Sequence, residues 1–156
     1  MRKAFGKAVV ELAEKNPRLI VLHNDVEQNM GEYKARFPGR IINLGIAEQA
    51  ITSLAAGMAT QGMKPIVYSI TPFVLERPFE QIKIDIDEQD LPVVLVGYSD
   101  YPKHGPTHRP LDAKQLCGCF KNIKAYFPQT AQEAHDNIIE AFNSGHPAFV
   151  SLKRAP

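Results

Sequence analysis

Apolar and polar positions follow two rhythms that trade places along the chain. Over residues 3–15 the apolar side chains recur at helical spacing, with Phe5, Val9, Leu12 and Ala13 on one face. Asn16-Pro17 stops that pattern. Leu19-Ile20-Val21-Leu22 is an unbroken apolar run, the mark of a strand buried on both faces, and polar residues 24–29 predict a functional loop at its end. Residues 33–37 read as a short helix ended by Pro38-Gly39, and 41–43 as the next strand. The alanine-rich stretch 47–60 predicts a long helix closed by Gly62. A strand is expected over 65–69, a helix over 76–88, and the clearest buried strand over 93–96. Residues 97–112, rich in Gly, Pro and His, read as one long loop. Compact domains rarely carry such a loop without using it. A short helix over 113–119, a strand over 123–126, a helix headed by the Thr130/Glu133 capping box and running through Phe142 to Gly145, and a strand over 148–152 complete the series. Alternation of this kind predicts an α/β fold: three αβα layers around a mostly parallel sheet of about six strands.

Composition narrows the function classes. A length of 156 residues suits one domain, expected to span 1–156, with no internal repeat or linker. The formal net charge is +1 and the basic residues are scattered. Neither nucleic acid nor a membrane surface is therefore an expected partner. The apolar runs are too short to span a bilayer, and the N-terminus has no signal-peptide core. The two cysteines, Cys117 and Cys119, read as reduced thiols of a cytoplasmic protein.

Chemistry concentrates in the loops that should meet at the carboxyl edge of the sheet, where open α/β sheets bind ligands. These loops carry Asp25 and Asn29, then Glu48, then Thr71 to Phe73, then His104 to Arg109. Asn43-Leu44-Gly45-Ile46-Ala47-Glu48-Gln49 reads as strand, glycine turn, helix, and places one carboxylate in a helix's first turn. A helix N-terminus favours a carboxylate with or without a function. Neither a P-loop nor a G-x-G-x-x-G pattern occurs, so the usual devices for phosphate or dinucleotide are missing. A lone carboxylate with aromatics and histidines suits a flat heteroaromatic ligand bearing a basic nitrogen. His104 and His108 stand four apart, but Gly105-Pro106 between them forbids the helix that would align them on a metal, and no metal site is expected.

The segment 43–49 resembles the signature of the pyrimidine-binding (Pyr) domain of transketolase-type thiamine diphosphate enzymes. Gly105-Pro106-Thr107-His108-Arg109-Pro110 resembles the same family's loop histidine motif. The opening Arg2-Lys3-Ala4, Asp25 after the first strand, and Leu152-Lys153-Arg154 fall in family order. The resemblance implies that Glu48 bonds the ring nitrogen N1′ of the aminopyrimidine, favouring the imino tautomer that removes the C2 proton of the thiazolium. It makes Glu48 and His108 the catalytic pair, with His108 approaching the substrate's oxygens. Asp25 falls where the family holds the cofactor or its partner loop, and a plain turn cap is the alternative. Phe73, or Tyr68, falls where an aromatic stacks on the pyrimidine, and core packing is the alternative for Tyr68. Arg2 and Arg154 fall where sugar phosphates are gripped, unless they are ordinary surface charge. His104 stands in place of the family's usual acidic residue, a departure at a substrate-binding position.

The chain lacks a Gly-Asp dipeptide, the start of the motif that grips Mg²⁺ and the diphosphate. The resemblance therefore implies half of an active site: no diphosphate-binding domain and no C-terminal transketolase domain here. A separate diphosphate-binding transketolase subunit would hold the Mg²⁺, in an α2β2 assembly transferring a two-carbon ketol unit between sugars or sugar phosphates. The helices predicted over 47–60 and 76–88 are the expected contact face. The alternatives are a β-type subunit of a 2-oxo acid dehydrogenase, a deoxyxylulose-phosphate synthase-like protein, or a scaffold subunit that keeps the fold without catalysis.

Overall fold

The computed structural model describes residues 1–98 and 105–153. His104 and Arg154 lie outside the described residues. Six strands form one fully parallel sheet: β1 (Leu19–His23), β2 (Ile41–Asn43), β3 (Lys64–Ile70), β4 (Val94–Tyr98), β5 (Lys124–Tyr126) and β6 (Ala148–Leu152). Their order across the sheet is β2-β1-β3-β4-β6-β5. The chain leaves β1 toward one edge to make β2 and then crosses to its other side to make β3. The loops after β1 and β3 therefore diverge and open a crevice between them, the position where such sheets take ligands.

Alternate residues of each central strand feed two cores. Leu19, Val21, Ile66, Tyr68, Val94, Val96 and Val150 pack on the side covered by α1 (Arg2–Lys15), α2 (Gly31–Arg36) and α6 (Ala131–Asn143). Ile20, Leu22, Val67, Leu95 and Phe149 pack on the side covered by α3 (Glu48–Thr60), the helical segments between Pro72 and Asp87, and α5 (Ala113–Cys117). This double burial is why the strands read as continuous apolar runs. Among the described residues no helix is long and apolar enough to cross a membrane.

The helix expected over 76–88 is replaced by a broken one that starts earlier. A π-helical turn covers Pro72–Glu76, α4 is only Phe79–Gln81, and a second π-helical stretch covers Ile82–Asp87. Pro78 has no N–H to donate, so the backbone ladder cannot run through it. The wide turns close instead through bonds five residues apart, Arg77 N to Pro72 O and Glu88 N to Lys83 O. The capping box at α6 is half reciprocal. Thr130 Oγ1 accepts from Glu133 N at 3.1 Å, but Glu133 Oε2 reaches Gln129 N at 2.7 Å rather than Thr130 N. The long loop expected over 97–112 is shorter at its start, because β4 continues through Tyr98, and a 3-10 turn forms over Pro106–His108.

Candidate active site

The crevice at the carboxyl edge is a cleft of about 410 Å³. Asn24, Asp25, Val26 and Gln28 enter it from the loop after β1, Ile46 and Glu48 from the turn after β2, Ile70, Phe73 and Arg77 from β3 and its π-helical turn, and Tyr98 and His108 from the far wall. Asp25, Glu48, Phe73 and His108, named from four separate loops, thus line one space.

Glu48 opens α3 after Gly45, whose φ of +66° is the left-handed turn a glycine adopts freely. Its carboxylate is buried, with 5 % exposure, and pairs with Arg77 Nη1. The Arg77 guanidinium in turn lies over the ring of Phe73, 3.9 Å from its centroid. Residues four apart lie on one face of a helical turn, which sets Arg77 beside Phe73. Gln49 Nε2 donates to the Arg77 carbonyl at 3.2 Å and ties that backbone to the first turn of α3. His108 sits edge-on to Phe73 at 5.0 Å between centroids, with its Nδ1 2.9 Å from Thr107 Oγ1.

The floor of the cleft is fixed by Asn43. Its Oδ1 accepts from Asp25 N at 3.2 Å and from Gly45 N at 2.8 Å, while its Nδ2 donates to Asp25 Oδ1 at 2.8 Å. One side chain therefore locks the loop after β1 to the turn that delivers Glu48. Asp25 holds a φ of +50°, a conformation Asn and Asp tolerate better than most residues. Below it, Asn24 is buried, and neither of its amide atoms has a hydrogen-bond partner among the described residues.

Tyr68 is fully buried and is not among the residues lining the cleft. Its ring stacks on Phe5 at 4.3 Å and its hydroxyl donates to the Gln28 carbonyl at 3.2 Å. It supports the loop from beneath. Tyr98 does the same on the cleft side, donating to Gln28 Oε1 at 2.6 Å. Arg2 lies on a second cavity of about 730 Å³, lined also by Lys3, Gln28, Asn29 and Lys153, and its guanidinium stands 5.0 Å from the Tyr98 ring centroid. Gln28 borders both spaces, so the cation-lined cavity adjoins the cleft.

Sequence reasoning passed over Arg77, Tyr98, Gln28 and the clamp by Asn43. Arg77 falls in a stretch that reads as an ordinary amphipathic helix, where nothing singles it out. Tyr98 falls in the stretch 97–112 that reads as a loop, whereas β4 continues through it. Asn43 lies within the glutamate motif, but its contacts exist only once β1 and β2 pair.

A family model described as the transketolase pyrimidine binding domain matches residues 1–155. The chain is 34% identical to a 1-deoxy-D-xylulose-5-phosphate synthase of Aquifex aeolicus, across 96% of the chain and 24% of that protein. It is 32% identical to an uncharacterized 33.6 kDa protein of the fasciation locus of Rhodococcoides fascians, across 97% of the chain and 50% of that protein. Among solved structures, a split gene transketolase, an inactive β4 tetramer, superposes with a TM-score of 0.87 at 30% identity, over 99% of this chain and 50% of that one. Transketolase of Campylobacter jejuni shares the fold, with a TM-score of 0.87 at 20% identity over 99% of this chain and 25% of that one. The chain thus spans between a quarter and a half of these proteins. From its parallel sheet to the glutamate at the head of α3, it belongs to the transketolase pyrimidine-binding domain family.

Proposed function

We propose that this chain is the pyrimidine-binding subunit of a two-chain, transketolase-like enzyme that uses thiamine diphosphate. The observation that carries the reading is the buried Glu48 carboxylate facing the same cleft as the Phe73 ring. A carboxylate and an aromatic face are what a flat, weakly basic aminopyrimidine needs, so the residues fit the cofactor. When bound, thiamine diphosphate supplies the acidic thiazolium carbon on which two-carbon transfer depends. Glu48 would share a proton with the ring nitrogen N1′, in a site where burial strengthens that bond. Phe73 would hold the ring by its face. His108, at the edge of Phe73, would meet the oxygens of a sugar substrate. Asp25, fixed by Asn43, would brace the cofactor or the facing loop of the partner. Arg2, on the adjoining cavity, would take the distal phosphate of a sugar phosphate.

The diphosphate and its Mg²⁺ would be held by a separate diphosphate-binding subunit in an α2β2 assembly. Support for two chains comes from the split gene relative, which shares 30% identity with this chain. The test is reconstitution: the chain mixed with such a subunit should transfer a two-carbon ketol unit between sugars. Glu48→Gln should leave assembly intact and slow that transfer by about 10²–10⁴-fold. Full activity of the variant, or of the chain without a second subunit, defeats the proposal. Identity to deoxyxylulose-phosphate synthases favours one other reading, a subunit that takes pyruvate as donor. Turnover of pyruvate, rather than of a ketose, in the same mixture would select it.

A further inference from the structure

The Arg77 guanidinium is flat and cationic, and carries N–H donors in its plane. It pairs with the Glu48 carboxylate through Nη1 and lies over the Phe73 ring, with Cζ 3.9 Å from the centroid. A planar nitrogen base bound by the same two side chains would make the same pair of contacts. Base and guanidinium cannot share the Glu48 Oε1 that Arg77 pairs with, or the side of the Phe73 ring that the guanidinium covers. We infer that Arg77 is a resident stand-in for the ligand's ring: it fills the ring subsite in the free subunit and must leave it when the ring arrives. This deepens the proposed function and rests on its assignment of Glu48.

The local structure suits an exchange. The side chain of Arg77 keeps 34% of its surface exposed, so solvent lies on its outer side and gives it somewhere to go. Its backbone need not move. Arg77 N is bonded to Pro72 O at 3.0 Å and its carbonyl accepts from Gln49 Nε2. Departure is then a rotation of the side chain about a fixed main chain. While it stays, Glu48 is not left buried without a partner, a state that is costly for a carboxylate. The stand-in thus protects the free subunit and lowers its affinity for the ring, since each binding event must first displace the guanidinium.

The probe is 4-amino-2,5-dimethylpyrimidine, the ring without thiazolium or diphosphate, titrated into the full chain and followed by NMR. Arg77→Met keeps the stem and removes the guanidinium. It should bind the probe at least tenfold more tightly than the wild type, with Arg77→Lys in between. A dissociation constant for Arg77→Met within threefold of wild type, or no measurable binding to it, overturns the inference. Should Arg77→Met fail to fold, Arg77→Lys carries the same comparison. In the wild-type chain, the slowly rotating Nη signals of a paired guanidinium should vanish as the probe saturates. Their persistence in the ring-bound chain also overturns it. The double variant Glu48→Gln/Arg77→Met separates the two claims. If it keeps the full gain, the ring does not sit on Glu48 and the proposed function fails, while displacement of Arg77 stands. If Glu48→Gln alone abolishes binding and Arg77→Met changes nothing, the proposed function stands and the stand-in falls.

Discussion

His23 ends β1 with its side chain 1% exposed, 3.6 Å from the Glu27 carboxylate through Nε2 and without a partner at Nδ1 among the described residues. Burial holds its pKa below the ordinary 6.5, more strongly than the nearby Glu27 raises it. The unfolded chain therefore binds this proton more readily than the folded one. Above 6.5 neither state is protonated and His23 carries no protonation penalty. As pH falls through 6.5 toward the depressed value, stability is lost, because protonation favours the unfolded state. The urea midpoint should fall across this window in the wild type and fall less in His23→Gln. Equal slopes in both proteins would show that His23 does not carry the effect. At this same scale the sequence is only partly legible. Glu48 and His108 stand out only within motifs that resemble a known family's, since a carboxylate at a helix start and a histidine in a polar loop are each ordinary alone. Arg77 does not, because its partner Glu48 stands 29 positions away and the pairing exists only once the turn after β3 packs on the head of α3.

Elements were legible where burial on both sides wrote them into composition. The observed strands fall within a residue or two of the expected apolar runs, and α3 begins at the glutamate itself. The stretch from Pro72 to Asp87 was not, since its path is set by tertiary ties rather than by pattern. Asp87, buried at 2% exposure, is the strongest of these ties. Its carboxylate accepts from the backbone N–H of Lys121 at 2.8 Å, Asn122 at 2.8 Å and Ile123 at 2.9 Å, and its carbonyl accepts from Asn122 Nδ2 at 2.6 Å. One side chain thus sews the second π-helical stretch to the turn that starts β5. Asp87→Ala would leave three N–H groups without that acceptor, at a cost of about 2–4 kcal/mol. For a chain of this length that lowers the melting temperature by roughly 6–12 °C. By contrast Asp85, bonded to Ser53 near the surface, should cost under about 1 kcal/mol when replaced by alanine. Chemical denaturation of the two variants side by side measures the difference. Equal losses would mean that Asp87 is a surface tie like its neighbour.

On the scale of the whole molecule, the cleft is open along the edge where β1 and β3 diverge, and apolar side chains are exposed beside it. Ile46 is 79% exposed at the turn into α3, Leu54 36% on α3 itself, and Ile84 51% on the segment that Ser53 and Asp85 bind to α3. Isolated exposed apolar residues are ordinary. Ile46 on the cleft wall and Leu54 and Ile84 on two bonded elements make up the face that we propose receives the diphosphate-binding subunit. Burial of an isoleucine side chain in such a contact is worth about 1.5–3 kcal/mol, and a glutamate in its place would have to be desolvated as well. Ile84→Glu should therefore weaken pairing with the second subunit by at least about tenfold. The same change faces water in the free chain, so its unfolding free energy should move by no more than about 0.5 kcal/mol. Sedimentation of the mixed subunits reads the first quantity and denaturation of the lone chain the second. A loss of pairing with unchanged stability locates the interface on this face. Unchanged pairing removes the face from the assembly, and with it the notion that the partner covers the cleft from the α3 side.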